Sequence, residues 1–317
     1  MRSPDPQIVT LTMNPALDVT TDVDRVRPTD KMRCGTPRYD PGGGGINVAR
    51  VAHVLGAEVC AVFPTGGPTG GLLTDLLNRS RVPSRAVTLS ESTRESFTVS
   101  ESRSGRQFRF VMPGPTVPFA EQAACLDAVR EAARAARFIV LSGSLPPGVG
   151  ADFPQRVADL CRTLGALFVL DTSGRGLART TSGVYLLKAS VRELRECAAH
   201  ELSTDADQVR AAREVIDAGR ARVVLVSRGS EGALLVTARR SQRFPAVVVR
   251  AGSGVGAGDA MVAAILVGLI RGWDLDKSVR FGIAAGAAML LTPGTATCTR
   301  HDIDRLFELA PEPRRLE

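Results

Sequence analysis

Ser253-Gly-Val-Gly-Ala-Gly-Asp259, followed without a break by Ala260-Met-Val-Ala-Ala-Ile-Leu-Val-Gly-Leu-Ile270, is the stretch on which the reading of this chain turns. A glycine-rich turn feeds straight into an apolar helix, and the run Ala246–Val249 before it reads as a strand. Glycines let successive backbone N–H groups point at one spot, and the first helical turn adds unpaired amides and the positive end of the dipole. Gly256, Ala257 and Gly258 would then form an anion hole with Asp259 at its mouth. A carboxylate in that place suits a general base that takes the proton of an alcohol attacking a phosphoryl group. A tight turn with an ordinary acid at a helix N-terminus has the same sequence, so the segment alone leaves both readings open.

Other phosphate loops fit less well. A Walker A loop needs Gly-Lys-Ser/Thr, but the three lysines follow Asp30, Leu187 and Asp276. A dinucleotide fingerprint opens the first βα unit, whereas this turn comes near the C-terminus.

Outward from the turn, short apolar runs alternate with helical patterns. Gln7–Met13, Val59–Phe63, Phe138–Leu141, Leu167–Leu170, Val184–Leu187 and Val223–Val226 read as buried strands. Between them, Val48, Val51, Ala52 and Leu55 keep a helical spacing, as do Leu126, Val129 and Ala133. That rhythm predicts an α/β sandwich: a mostly parallel sheet covered by helices on both faces, in one domain over 1–317. Two stretches depart from it, roughly 12–40 and 92–113, the second with a hairpin turn at Ser104-Gly105. They predict a small antiparallel sheet apart from the main one, acting as a lid, an oligomer interface or both.

Composition narrows the function classes. At 317 residues and 44% hydrophobic the chain can bury a full core. The apolar run Ala260–Ile270 has 11 residues, too few to cross a bilayer, so no membrane partner is expected. Met1 to Gln7 carries no apolar signal region, and the six cysteines are widely spaced without a C-x-x-C pair. Reduced thiols in a cytoplasmic protein are the expectation. The net charge of +7 raises nucleic-acid binding, but arginine is spread along the chain and aromatics for base stacking are few. Only three basic residues are lysines, Lys31, Lys188 and Lys277, which singles these out as places where a compact ammonium is needed or as chance survivors of a coding bias.

Three further segments carry candidate chemistry. Asp40-Pro-Gly-Gly-Gly-Gly-Ile-Asn47-Val-Ala-Arg50 runs from glycines into an amphipathic helix, a pattern better explained by close backbone approach to a ligand than by a linker. Leu187-Lys188-Ala-Ser190-Val-Arg-Glu193 ends a strand and starts a helix, where Ser190 and Glu193 also fit a capping box. Val226-Ser227-Arg-Gly229-Ser-Glu-Gly232 reads equally as a nucleotide turn and as a plain hairpin.

In this order, the segments resemble the PfkB family of carbohydrate kinases, which have the ribokinase-like fold, from about Thr10 to Cys298. Leu11-Thr-Met-Asn-Pro-Ala-Leu-Asp18, Phe110-Val-Met-Pro-Gly114 and Ser142-Gly-Ser-Leu-Pro-Pro-Gly148 are most similar to its minor 6-phosphofructokinase branch. The resemblance implies a three-layer sandwich with a β-sheet lid that pairs two subunits, and MgATP-dependent phosphorylation of a sugar phosphate. It makes Asp259 the base and the amides of Gly256, Ala257 and Gly258 the stabilisers of the transferring group. It puts Asp18, Gly43, Gly44, Gly45 and Asn47 on sugar hydroxyls, and Lys31, Arg33, Arg94 and Ser144 around the existing phosphate or the lid. Lys188, Ser190, Ser227, Gly229 and Gly232 match nucleotide positions, and Glu193 matches the acid that orients Mg²⁺. A K⁺ site of backbone carbonyls would lie around Ser253, Val255 and Gly294.

Three residues depart from the family pattern: Ser190 stands for a usual Asn, Arg228 for an apolar residue and Gly254 for a Thr. Gly44 stands where fructose-1-phosphate kinases and ribokinases have a lysine, which favours fructose 6-phosphate over fructose 1-phosphate or tagatose 6-phosphate. A sugar-phosphate-binding protein without catalysis is the alternative of another class.

Overall fold

The computed structural model describes residues 5–173, 176, 179–198, 200–249, 254–292, 294 and 296–316. In chain order the first strands are β1 (Ile8–Leu11), β2 (Ala16–Val23), β3 (Arg38–Gly42), β4 (Val59–Thr65), β5 (Ser84–Thr88), β6 (Arg94–Glu101) and β7 (Gln107–Val111). They continue as β8 (Phe138–Ser142), β9 (Leu167–Asp171), β10 (Val184–Ser190), β11 (Ala221–Ser227), β12 (Ala233–Thr237), β13 (Ser241–Phe244) and β14 (Arg314–Leu316). We number the helices α1 (Gly44–Val54), α2 (Gly67–Arg79), α3 (Phe119–Ala132), α4 (Phe153–Leu164), α5 (Val191–Arg195) and α6 (Asp205–Asp217). The last three are α7 (Ala257–Ile270), α8 (Leu275–Met289) and α9 (Arg300–Glu308).

Ten strands form the large sheet, in the order β14-β13-β12-β11-β10-β9-β8-β1-β4-β5. From β11 to β5 all neighbours are parallel, and β12 to β14 add an antiparallel edge. The six apolar runs are its central strands because both sheet faces are covered. Along β4, Val59, Ala61 and Phe63 enter the core under α1, α7 and α8, while Cys60 and Val62 enter the core under α3 and α4. Successive side chains of a strand point to opposite faces, so one apolar run feeds two cores. Each fully buried Val, Leu or Phe adds roughly 1.5–3 kcal/mol.

The helix that opens at the glycine turn, α7, is buried from Ala260 to Leu269. An all-apolar helix needs neighbours on every side, and α8 supplies the closest. A Cβ on Gly282 would fall 2.7 Å from Ile265 Cγ1, and one on Gly268 2.7 Å from Ser278 Oγ. These glycines let the two helices approach closely and so fix where α7 begins.

The smaller sheet has the order β3-β2-β6-β7. Its strands lie within 16–42 and 94–111, and β6 and β7 form the expected hairpin. It is not wholly antiparallel as the alternation predicts, because β2 and β6 pair in parallel. The long connection through α1, β4, α2 and β5 brings the chain back in the same direction. Ala246–Val249 is not a strand either: β13 ends at Phe244, and Pro245 has no N–H to continue the ladder.

Candidate active site

Strands β8, β9, β10 and β11 deliver Ser142, Asp171, Lys188 and Ser227 to one rim of the large sheet, at their carboxyl ends. That rim is where open α/β sheets bind ligands. The first turns of α1 and α7 face it, and there the two glycine-rich segments meet. Asn47 donates from Nδ2 to Asp259 Oδ2 at 2.9 Å, and Ser142 donates from Oγ to Asp259 Oδ1 at 3.2 Å. Burial pushes the Asp259 carboxyl up to about 7, and the nearby charge of Asp171 pushes the same way. The Asn47 hydrogen bond, Lys188 and the Ser142 hydrogen bond oppose the rise. The result is a carboxylate basic enough to accept an alcohol proton near neutrality.

Gly256 caps α7 with φ +77 and no side-chain cap. The amides of Ala257 and Gly258 therefore have no acceptor within the helix. A Cβ on Gly258 would lie 2.8 Å from Lys188 Nζ, so the glycine gives the ammonium its place against the helix end. Lys188 pairs with Asp171 at 3.0 Å, both buried. Burial raises the Asp171 carboxyl, and Lys188 opposes that. For Lys188 itself burial disfavours the charge, but Asp171, Glu193 and Asp259 outweigh it and its pKa ends raised.

Two clefts meet at this point, sharing Lys188 and Gly254. The first, about 290 Å³, is polar. Asp18 on β2, Arg94 on β6 and Arg109 on β7 reach it from the small sheet, opposite Asn47 and Ser144. Burial lifts the Asp18 carboxyl to about 6 against the pull of Arg109 and Arg94, while Asp40 adds to the rise. Burial also lowers Arg94, against Asp18. Arg94 donates to the backbone oxygens of Met112 and Asn14, each at 3.0 Å. Among the described residues, Asn47 Oδ1, Asn14 Oδ1 and Arg94 Nε are buried without a partner. Such atoms are uncommon in native structures and mark hydrogen-bonding capacity left for a ligand.

The second cleft, about 480 Å³, is walled by Val247, Met261, Ile283 and Ala287, with Ser227, Gly229 and Gly232 along one side. Gly232 has φ +90, and a Cβ there would fall 1.9 Å from the Phe244 oxygen, so the turn after β11 requires glycine. Arg228 is turned away, paired with Asp205 Oδ1 at 2.8 Å and with Glu231. A flat ligand with an anionic tail fits this pair of clefts: the apolar walls take the plate, and the helix end with Lys188 takes the anion.

The sequence-derived residues divide clearly. Asp18, Gly43, Gly44, Asn47, Arg94 and Ser144 line the polar cleft with Gly256, Asp259, Lys188 and Glu193. Ala257 and Gly258 line the apolar one with Ser227, Gly229 and Gly232. Gly45 lines neither; a Cβ on it would meet Thr12 Oγ1 at 2.6 Å, so it serves the packing of α1 on β1. Ser190 is absent from both linings, because its hydroxyl is spent in a capping box with Glu193. Lys31 and Arg33 are exposed on the loop between β2 and β3 and reach neither cleft. Ser253 lies outside the described residues; Arg38 stands against Gly294, where a Cβ would fall 2.4 Å from Nη2. Asp171 and Arg109 went unread in the sequence. An acid directly after the apolar run Leu167–Leu170 was the available signal for the first; an arginine on a lid strand offers none.

Among the described residues no three His, Cys, Asp or Glu side chains come together as a metal cluster. Glu193 accepts from the Ser190 N–H and hydroxyl with Oε2 alone. That leaves Oε1 for a hydrated divalent ion held mainly by phosphate, the usual arrangement for Mg²⁺.

Comparison with known proteins agrees with this fold. Residues 11–302 match the family model described as pfkB family carbohydrate kinase. The ATP-dependent 6-phosphofructokinase isozyme 2 of Mycobacterium tuberculosis is 65% identical over 97% of this chain and 91% of its own length. The isozyme of the same name from Escherichia coli is 38% identical over 95% of this chain and 98% of that one. The Escherichia coli phosphofructokinase-2 structure in complex with fructose-6-phosphate superposes with a TM-score of 0.90 at 36% identity, covering 96% of this chain and 99% of that one.

Proposed function

Because this chain belongs to the pfkB family of carbohydrate kinases, we propose that it is an ATP-dependent 6-phosphofructokinase, converting fructose 6-phosphate and ATP to fructose 1,6-bisphosphate and ADP. The observation that carries the reading is the meeting of Asn47 and Asp259 at 2.9 Å, at the end of α7. Asp259 takes the proton of the sugar's primary hydroxyl as its oxygen attacks the γ-phosphorus, and the bond from that phosphorus to the bridging oxygen breaks toward ADP. The Gly256, Ala257 and Gly258 amides and Lys188 face the charge that builds on the transferring group. Asp18, Gly43, Gly44 and Asn47 hold sugar hydroxyls, while Arg94 and Ser144 hold the existing phosphate, a guanidinium being suited to it. Ser227, Gly229 and Gly232 hold the nucleotide. Glu193 would orient Mg²⁺, which would supply charge neutralisation to the phosphates; Val255 and Gly294 are the described candidates for a K⁺ site.

The small sheet acts as a lid and as the dimer face. Phe110 and Tyr39, in one cross-strand row with Phe97 and Val19, are 51% and 42% exposed on the face of the sheet away from the cleft, an apolar area that a second copy would cover. Lys31 and Arg33, which reach no cleft within one chain, enter the site only through such a pairing. Six unpaired cysteines suit a cytoplasmic setting, and no described helix is long and apolar enough to cross a membrane.

The test is ADP release with MgATP and a panel of fructose 6-phosphate, fructose 1-phosphate, tagatose 6-phosphate and free hexoses. Fructose 6-phosphate should have the highest kcat/KM. Preference for another sugar phosphate moves the assignment within the family, and calorimetric binding with no turnover replaces it with a non-catalytic sugar-phosphate-binding protein.

A further inference from the structure

Ser142 closes β8 and is 1% exposed, yet its hydroxyl borders the polar cleft. Its Oγ donates to Asp259 Oδ1 at 3.2 Å, while Asn47 holds Oδ2. A carboxylate held at one oxygen can still swing about its Cβ–Cγ bond; held at both, it presents its remaining lone pairs in one direction. The hydroxyl is also sterically placed. A Cβ on Gly44 would fall 2.2 Å from Ser142 Oγ and 2.8 Å from the Gly143 amide nitrogen, so the bare backbone of α1 forms the other wall of the slot.

We infer that Ser142 is the positioning residue of the base: with Asn47 it clamps the Asp259 carboxylate, and the side-chain-free Gly44 keeps its hydroxyl in place. The inference rests on the kinase reading above. Small errors of orientation at a reacting group are costly, which is why a second donor matters even though Asn47 is already present. Other charged groups near the base are Asp171 on β9, which raises its pKa, and Lys188 on β10, which lowers it. Neither is altered by a change at 142. Ser142 stabilises the ionised form, so its removal should move the acid limb of the kcat profile to higher pH.

The experiment compares the unaltered protein with Ser142→Ala, Ser142→Thr and Ser142→Cys by steady-state kinetics from pH 5.5 to 9. Melting curves confirm that each variant is folded. Ser142→Ala should lower kcat by ~10-fold and shift the acid limb upward, with both KM values changed by less than about threefold. Ser142→Thr, which keeps the hydroxyl, should restore most of the rate. Ser142→Cys, of similar size but a much weaker donor, should lose rate and shift the acid limb as Ser142→Ala does. It gives the same reading should Ser142→Ala fail to fold. An unchanged kcat and acid limb in Ser142→Ala, or the full rate in Ser142→Cys, overturns the clamp while leaving the kinase reading intact. No turnover by the unaltered protein overturns both.

Discussion

Lys188 and Gly254 line both clefts, but the residues beyond them differ in kind. On the small-sheet side stand Asp18, Arg94, Arg109 and Asn47; on the other stand Val247, Met261, Ile283 and Ala287. The polar side holds its charges at a cost. Burial lifts Asp18 to about 6 and lowers Arg94, and three polar atoms around that cleft are buried without partners. A ligand rich in hydroxyls and negative charge would complete such a surface. The apolar side carries no such debt: a flat ring needs walls and little else. Between them, amides at a helix end and one ammonium face the place where, in the proposed reaction, the phosphoryl group is passed across. The proposed reading therefore puts substrate choice on one side, generic binding on the other, and the chemistry at the shared wall.

The largest effect should come from that wall. Asp259→Asn keeps the shape but turns one of the two accepting oxygens into a donor and removes the base, so kcat should fall by at least ~10²-fold with both KM values nearly unchanged. A rate close to that of the unaltered protein would show that the two sides meet over something other than a base. Next is the polar side. Arg109→Ala should raise KM for fructose 6-phosphate by ~10- to 100-fold, the effect of one charge-assisted contact, and leave KM for ATP within about threefold. Equal rises in both would erase the distinction between the clefts. Smaller again is the apolar side. Ala287→Leu crowds the wall and should raise KM for ATP by ~10-fold while the sugar phosphate KM stays put.

The same division explains what could be read in the sequence. The central strands were legible because a strand covered on both faces is apolar at every position, as in Val59–Phe63, and the helices because Val48, Val51, Ala52 and Leu55 repeat on one side. The shared wall was legible because its glycines are chemically required: Gly256 at φ +77 and Gly258 against Lys188 tolerate nothing larger without a shift. What escaped were single residues whose role depends on a distant partner. Asp171 matters because Lys188, 17 positions later, folds onto it. Arg109 matters because β6 and β7 carry it over Asp18. Ser190 shows the reverse: its motif position suggested a ligand contact, but the capping box consumes its hydroxyl. Ala246–Val249 misled because an apolar run beside a proline fits a cleft wall as well as a strand.

The smallest effect probes the stored cost directly. Burial, and after it the charge of Asp171, lifts the Asp259 carboxyl to about 7, against 3.8 for a free carboxyl. A group whose pKa is raised on folding binds its proton more tightly in the native state. Its stabilising contribution is therefore complete below about pH 4 and is lost as pH rises through about 7. Asp259→Asn has no proton to lose. Its melting temperature relative to the unaltered protein should therefore climb between pH 5 and pH 8, by on the order of 1.5 °C for each kcal/mol recovered. Asp18, lifted to about 6, titrates in both proteins and cancels in the difference. Ala287→Leu, on the uncharged side, should change the melting temperature by the same amount at every pH. A flat difference for Asp259→Asn across that range would mean that the base is no more strained than a surface carboxylate, and that the polar cleft carries no stored cost for a substrate to relieve.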